Sequence, residues 1–350
     1  MQNMNISPVA QSNVSDIDFD NLEFGKTFTD YMLVMDYDGN SWGEPTIEPL
    51  KPLQMHPATS VLHYGQAIFE GLKAYKNENG DVNIFRLKDN LDRLNKSAER
   101  MMMPQIDVAA MVDGMSEFVR LQKEWIPTRA QGSLYIRPFM ISSDNTLRAI
   151  ASKGYKFIVI ACPVGFYYTK SLSIVLEKKY RRAATGGVGY AKAAGNYAAS
   201  FYPSEKAKNL GYDQILWTDI TNQFSLEELG SANFFYVVNN VLYTPSMHDS
   251  ILKGITRDTV LRLAESEGLE TSEEFITAER FENDLKSGKV QCMFATGTAA
   301  AITYIQKVTI DDATYEVYSS DFSPVKAIKD SLDDHKFLKN TNRPDWNVVV

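Results

Sequence analysis

Alternating and helical spacings of apolar residues divide the chain into elements. From Tyr31 onward, short strand-like runs are separated by turn residues: YMLVMDYDGN (31–40), SVLHYGQAIFEGLKAY (60–75) and DVNIFRL (81–87). The spacing then changes. In KDNLDRLNKSAERMMMP (88–104), Leu91, Leu94 and Ala98 recur at helical intervals behind Asp89, which is the expected cap. A second helix is expected near 108–124, followed by strands over GSLYIRPFMIS (132–142) and YKFIVIACPVG (155–165). The latter is apolar on both faces, as a central strand should be.

The pattern breaks at Phe166, where a connector is expected. Beyond it come a glycine-rich stretch, the helix NYAASFYPSEKAKNLG (196–211) and the strand YDQILWTD (212–219). FFYVV and VLYTP flank Asn239-Asn240, a type I′ hairpin signature. ILKGITRDTVLRLAESEG (251–268) reads as a helix opening at a glycine, and VQCMFATGTAAAITYI (290–305) as a strand running into a small-residue turn. Antiparallel strands with separated helices favour an α+β fold in two lobes. The expected division is a loose tail over 1–20, a small domain over 21–165, a connector over 166–174 and a large domain over 175–350.

One charge stands out. TGGVGYAKAAGNYAA (185–199) holds four glycines and a single ionisable cation, Lys192. A phosphate-binding lysine, a surface lysine at a helix end and an amine kept uncharged for covalent chemistry all compete for it. A Walker loop fails, because Ala191 or Lys192 falls where its second glycine belongs. The dinucleotide fingerprint fails as well: Lys192 takes the place of its third glycine. A solvated lysine is the commonest fate of the residue type. The neighbours Ala191, Ala193, Ala194 and Gly195 offer no hydrophilic face, however, and apolar surroundings favour the neutral, nucleophilic amine.

Such an amine suits an aldehyde cofactor. Pyridoxal phosphate would further require a carboxylate for its ring nitrogen, a hydrogen bond to its ring oxygen and a phosphate cup. Gly254-Ile-Thr-Arg-Asp at a helix start, the turn at Gly297-Thr-Ala-Ala, and Glu227-Glu228 ahead of a strand could supply them. Taken singly, each also reads as an ordinary turn or a solvated pair.

In order, FGKTFTDYM (24–32), HPATSVLHYGQAIFEGLKAY (56–75), NLDRLNKSAERM (90–101), LYIRP (134–138), GGVGYAKAAGNY (186–197), EELGSANFF (227–235), LKGITRD (252–258) and ATGTAA (295–300) resemble the branched-chain amino acid aminotransferases. These are fold-type IV pyridoxal-phosphate enzymes, and the glycine spacing and YIRP favour the larger subgroup that includes the animal enzymes. The resemblance implies a small N-terminal α/β lobe and a larger C-terminal lobe with a mixed sheet or pseudo-barrel. It implies transfer of the amino group of leucine, isoleucine or valine to 2-oxoglutarate by ping-pong kinetics, by a cytoplasmic homodimer.

Carried over by position, Lys192 would form the internal aldimine and shuttle the proton. Glu228 would face the pyridine nitrogen and Tyr197 the ring oxygen. Arg93, Ile255, Thr256 and Thr298 would hold the phosphate, although helical periodicity alone turns Arg93 toward solvent. Phe24, Phe69, Tyr135 and Tyr167 would wall the substrate pocket, with Ser231 and Ala232 at its floor. Tyr64, Thr298 and Ala299 would take the α-carboxylate, with Tyr64 near a dimer boundary, and Arg137 would meet the distal carboxylate of glutamate. Two positions depart from the pattern: Ala299–Ile302 replaces the C-x-x-C of some animal members, and Ser231-Ala232 replaces the commoner Thr-Met.

Rival readings are a D-amino acid aminotransferase or aminodeoxychorismate lyase of the same fold, and a non-catalytic phosphate-binding scaffold. Composition narrows the field further. The 350 residues carry 36 basic and 44 acidic side chains, a formal charge of −8, which offers no general attraction to nucleic acid or anionic membrane. Neither a metal site nor a disulfide framework is expected, since Cys162 and Cys292 are far apart and the four histidines form no H-E-x-x-H pair. The N-terminal stretch lacks signal-peptide character, and no apolar run suits a membrane helix.

Overall fold

The computed structural model describes residues 4–221 and 223–350. The chain forms two compact units. The first comprises Met1–Tyr167, Ala191–Ala194 and Asp334–Val350; the second comprises Tyr168–Tyr190 and Gly195–Asp333. Two segments expected in the large C-terminal domain, 191–194 and 334–350, therefore belong to the first unit. The reason is long-range backbone pairing, which local composition does not encode.

The first unit runs β1 (Asn5–Ile6), β2 (Tyr31–Tyr37), β3 (Thr46–Pro49), α1 (Val61–Tyr64), β4 (Ala67–Phe69), β5 (Leu72–Lys76), β6 (Val82–Phe85), α2 (Leu87–Arg100), α3 (Val108–Arg120), β7 (Ser133–Ser142) and β8 (Tyr155–Val164). Its sheet has the order β1-β3-β2-β8-β7-β5-β6, with β4 paired to β7 off that path. The apolar β8 lies between β2 and β7, where both of its edges are hydrogen-bonded. Leu87, Leu91, Leu94 and Ala98 of α2 join Met111, Met115, Phe118 and Val119 of α3 in one core with Leu33, Ile136, Phe157 and Val159 of the sheet.

Two expectations need correction here. Asp89 does not cap α2. The cap position belongs to Arg86, which takes the left-handed conformation (φ 55) without a side-chain capping bond, and Asp89 sits in the first turn. There its Oδ2 lies 2.6 Å from Arg86 Nε, a favourable place for a carboxylate. Residues 4–20 are not a loose tail. β1 pairs in parallel with β3, Asp30 accepts hydrogen bonds from Ser12 and Asn13, and Met4, Val14 and Ile17 pack on the core. Residues 1–3 of the expected tail lie outside the described residues.

The second unit continues with β9 (Leu172–Glu177), α4 (Ala194–Asn209), β10 (Gln214–Thr218), β11 (Leu226–Leu229), β12 (Asn233–Val238), β13 (Val241–Pro245), α5 (Ile255–Ser266), β14 (Glu270–Glu274), α6 (Ala278–Lys286), β15 (Val290–Gly297), β16 (Ala301–Ile310), β17 (Ala313–Glu316) and α7 (Ser323–Lys336). Its strands follow β11-β10-β9-β16-β15-β12, and β12 pairs back on β11 at Asn233 and Glu228. Six strands thus close into a mixed barrel in which no strand edge is left bare. β13 and β14 extend the sheet from β12. Asn239 (φ 52) and Asn240 (φ 62) make the left-handed turn that the hairpin requires. Phe234 and Tyr236 of β12 meet the buried Phe281 of α6 edge-on at 5.4 and 5.1 Å. Here Glu228 gains its position, because the barrel closes at its own residue pair.

The last strand, β18 (Asn347–Val349), pairs antiparallel with β6 of the first unit. Buried Trp346, just before it, accepts a hydrogen bond from the Arg86 N–H (2.7 Å) and lies under the Arg86 guanidinium. The C-terminus therefore holds the entry to α2, the helix that carries Arg93. Helices and separated sheets together make the fold α+β.

Candidate active site

In the first unit the lysine is fixed through its backbone. Its N–H donates to Ser97 Oγ (3.0 Å), its carbonyl accepts from the Phe69 N–H (3.1 Å), and Ala193 forms a β-bridge with Ile68. Ser97 in turn donates to the Arg93 carbonyl (3.1 Å), so α2 and the lysine segment share one hydroxyl. The ammonium nitrogen of Lys192 stands 5.0 Å from the centroid of the Phe69 ring.

A second cation uses the same ring. The Arg137 guanidinium lies 4.6 Å from the Phe69 centroid and 5.3 Å from that of Tyr135, and its Nη2 donates to Tyr135 Oη (2.9 Å). Its Nε is buried without a hydrogen-bond partner, and among the described residues no carboxylate pairs with it. Phe24 meets Tyr135 and Tyr167 edge-on at 4.9 and 5.2 Å. Phe24, Phe69, Tyr135, Tyr167, Arg137 and Lys192 are thus one connected set. Tyr64 stands outside it, with its hydroxyl donating to the Leu147 carbonyl. Gly71 makes room for Tyr135: a Cβ there would fall 2.1 Å from the phenolic oxygen.

Arg93 is neither solvent-facing nor open on all sides. Its Nε and Nη2 each contact an oxygen of Glu70 at 2.7 Å, with Glu70 fully buried and Arg93 nearly so. A helical wheel misses this because the partner comes from the turn between β4 and β5, not from the helix.

In the second unit Glu228 is anchored on both oxygens. Oε1 pairs with Arg182 Nη2 (2.5 Å) and accepts from the Leu252 N–H (3.0 Å); Oε2 accepts from Asn233 Nδ2 (3.1 Å). Arg182 also donates to the carbonyls of Gly189 and Ser250. The sequence reading missed Arg182, Asn233 and Ser250; the only available signal was the Arg181-Arg182 pair just ahead of the glycines. Gly189 lets these strands of chain meet, since a Cβ would lie 2.6 Å from the Ser250 backbone. Glu227, beside Glu228, is buried, and burial pushes its carboxyl up to about 7, with the Glu228 charge adding to this and the Ser250 hydrogen bond and Arg182 opposing it.

α5 follows the N-cap Gly254, which has no side chain to cap the first-turn N–H groups of Ile255 and Thr256. A Cβ on Gly254 would strike Asn233 Oδ1 at 1.9 Å, so this helix start abuts the residue that holds Glu228. Thr298 and Ala299 lie in the turn between β15 and β16, whose Gly297 packs on Ser231 and Ala232. Tyr197, on α4, shares a cleft with Ser231. Among the described residues no cluster could hold a metal ion.

The closed mixed barrel of one unit and the mixed-direction sheet of the other are the architecture of the class IV aminotransferases. The chain belongs to that family, whose profile, amino-transferase class IV, matches residues 67–308. It is 42% identical over 335 residues to branched-chain-amino-acid transaminase 1 of Bacillus subtilis (strain 168), covering 94% of each chain. It is 41% identical over 316 residues to branched-chain-amino-acid aminotransferase 2 of the same organism, covering 89% of this chain and 87% of that one. Among solved structures, the branched-chain aminotransferase of the thermophilic archaeon Thermoproteus uzoniensis with norvaline superposes with a TM-score of 0.74 at 26% identity, covering 91% of this chain and 99% of that one.

The Arg93–Glu70 fork generates a prediction. Glu70→Gln leaves a buried guanidinium uncompensated and should destabilise the chain by about 3–5 kcal/mol, read as a lowered urea midpoint at unchanged slope. A change below about 1 kcal/mol would mean that Arg93 draws its compensation from elsewhere.

Proposed function

We propose that this chain is a pyridoxal-phosphate-dependent branched-chain amino acid aminotransferase, moving the amino group of leucine, isoleucine or valine to 2-oxoglutarate, reversibly. One observation carries the dual specificity: Arg137, stacked on Phe69 and Tyr135 and without a carboxylate partner among the described residues, is a cation held in an aromatic wall. An apolar side chain can lie against the rings, and the distal carboxylate of glutamate can meet the guanidinium.

The donor set fits the cofactor. The start of α5, uncapped by any side chain, supports the part that the resemblance gives to Ile255 and Thr256 in holding the phosphate; the resemblance adds Thr298 and Arg93 to the same role. Glu228, held by Arg182 and Asn233, offers a fixed negative charge to a protonated ring nitrogen, and Tyr197 a phenol to the ring oxygen. When bound, pyridoxal phosphate supplies the aldehyde carbon for amine exchange and the electron sink for the substrate carbanion. Lys192 Nζ takes the proton from substrate Cα and returns it, while Phe69 and the bridge at Ile68 keep that amine in place. The resemblance gives the α-carboxylate to the N–H groups of Thr298 and Ala299 and to Tyr64, whose hydroxyl here donates to the Leu147 carbonyl instead. Phe24, Tyr135 and Tyr167 form one aromatic set in the first unit and Ser231 and Ala232 lie beside Gly297 in the second; the resemblance assigns all five to the substrate side chain.

The protein works in the cytoplasm as a homodimer. Two buried, unpaired cysteines, Cys162 and Cys292, suit a reducing compartment, and no described helix is long and apolar enough to cross a membrane. Leu62 and Leu147 are 57% and 64% exposed, and the Tyr64 hydroxyl donates to the Leu147 carbonyl, so exposed apolar side chains lie in the stretches on which the resemblance places the dimer boundary. Sedimentation of the wild type should give a dimer, and Leu147→Asp should shift the population toward monomer. A monomeric wild type removes the second copy from the account.

Lys192→Ala removes both the covalent anchor and the proton carrier, and general acid–base help alone is worth about 10²–10⁴-fold. Keto-acid formation from leucine should drop to background; retention of a tenth of the wild-type rate would show that another amine does the work. Arg137→Met separates the two substrates. Half-reactions with glutamate and 2-oxoglutarate should weaken by about 2–5 kcal/mol while those with leucine change little. Equal losses for both would assign Arg137 to the shared α-carboxylate or to the fold.

A further inference from the structure

Two carboxylates stand side by side on β11, both buried, and one guanidinium serves them. Arg182 contacts Glu228 directly. Glu227 instead places Oε1 within hydrogen-bond reach of Ser250 Oγ, which also lies 2.8 Å from His248 Nδ1. The other oxygen of Glu227, Oε2, is buried and has no hydrogen-bond partner among the described residues. A buried ionised carboxylate would leave that oxygen uncompensated, whereas a protonated one carries far less charge to solvate.

The surrounding charges agree with this. Facing Glu227 are Arg182, Glu228 and Asp219, and Asp219 is engaged by Thr221 and Ser225. His248, held below its ordinary value by burial, faces Asp219 and Asp249. Three buried acids, Glu227, Glu228 and Asp219, share the one cation Arg182, which disfavours ionising all of them, and Glu228, in direct contact with the guanidinium, is the better placed to keep its charge. Ser250 links the two roles, since its carbonyl accepts from Arg182 and its hydroxyl reaches Glu227.

We propose that Glu227 is a positioning residue that works as a neutral acid, so that Arg182 gives its full charge to Glu228. When Glu227 loses its proton to solvent, a second carboxylate competes for the same guanidinium and the grip on Glu228 loosens. The Ser250 hydroxyl donates to Glu227 Oε1 and lies 2.8 Å from His248 Nδ1, so it fixes the place of the acid while Oε2 stays without a partner among the described residues. The proposal deepens the reading of Glu228 as the partner of the ring nitrogen, and in that respect rests on it.

The holoenzyme provides the test. The infrared band of a protonated buried carboxyl should be present in wild type below neutral pH, vanish with a midpoint near 7, and be absent from Glu227→Gln. The visible absorbance of the bound cofactor should change with the same midpoint in wild type and not in the variant. Stability follows with a defined sign. The folded carboxyl keeps its proton up to about 7 while the unfolded one releases it near 4.5, so the native state binds more protons in that window and Tm falls as pH rises through it. Glu227→Gln, neutral throughout, should lose that fall. Ser250→Ala, which removes a hydrogen bond favouring the ionised form, should move the infrared midpoint upward, and this serves if the Gln variant does not fold. A carboxyl band that persists in Glu227→Gln, an unmoved midpoint in Ser250→Ala, or a cofactor spectrum blind to the titration would each overturn the proposal. If instead Glu228→Gln leaves the leucine half-reaction unchanged while the infrared and Tm results hold, the failure belongs to the role of Glu228 and not to the proton on Glu227.

Discussion

The buried fork between Arg93 and Glu70 is the constraint on which the first unit's chemistry depends. Glu70 follows Phe69 directly and precedes Gly71, so fixing its carboxylate fixes the ring on one side and the space for Tyr135 on the other. Arg93 passes the constraint along α2 through Ser97 to the Lys192 backbone. An ion pair so deeply buried contributes little net stability against an apolar substitute, yet it tolerates only one geometry. Precision at Phe69 matters because two cations use that ring. Lys192 needs to be aimed, and Arg137 needs to be held without a carboxylate of its own.

The second unit meets a related problem with opposite signs. There a buried carboxylate is held in the barrel by donors from chain segments far apart in sequence, Arg182, the Leu252 N–H and Asn233, and the Ser250 carbonyl steadies Arg182 in turn. Barrel closure makes this possible. Glu228 and Asn233 are the very pair at which β11 and β12 join, so the hydrogen bonds that complete the sheet also set the acid. Gly254 abuts Asn233, which ties the start of α5 to the same joint.

Much of this was written into the local sequence. The apolar run at 155–165 determined a central strand, Asn239-Asn240 a hairpin and Gly254 the start of a helix, because backbone sterics and periodic burial act over a few residues. Only the tertiary structure decided the rest. Arg93 lies off the apolar stripe of its helix, and its burial depends on Glu70 arriving from another element. Arg182 carries no local mark of its task, and Glu227 and Glu228 are indistinguishable by spacing until one finds a guanidinium and the other a hydroxyl. The segment Ala191–Ala194 packs with the first unit because of a bridge to Ile68, and the C-terminal strand because of β6. Each of these turns on desolvation and on which groups become neighbours, and neighbours distant in sequence are set by the fold.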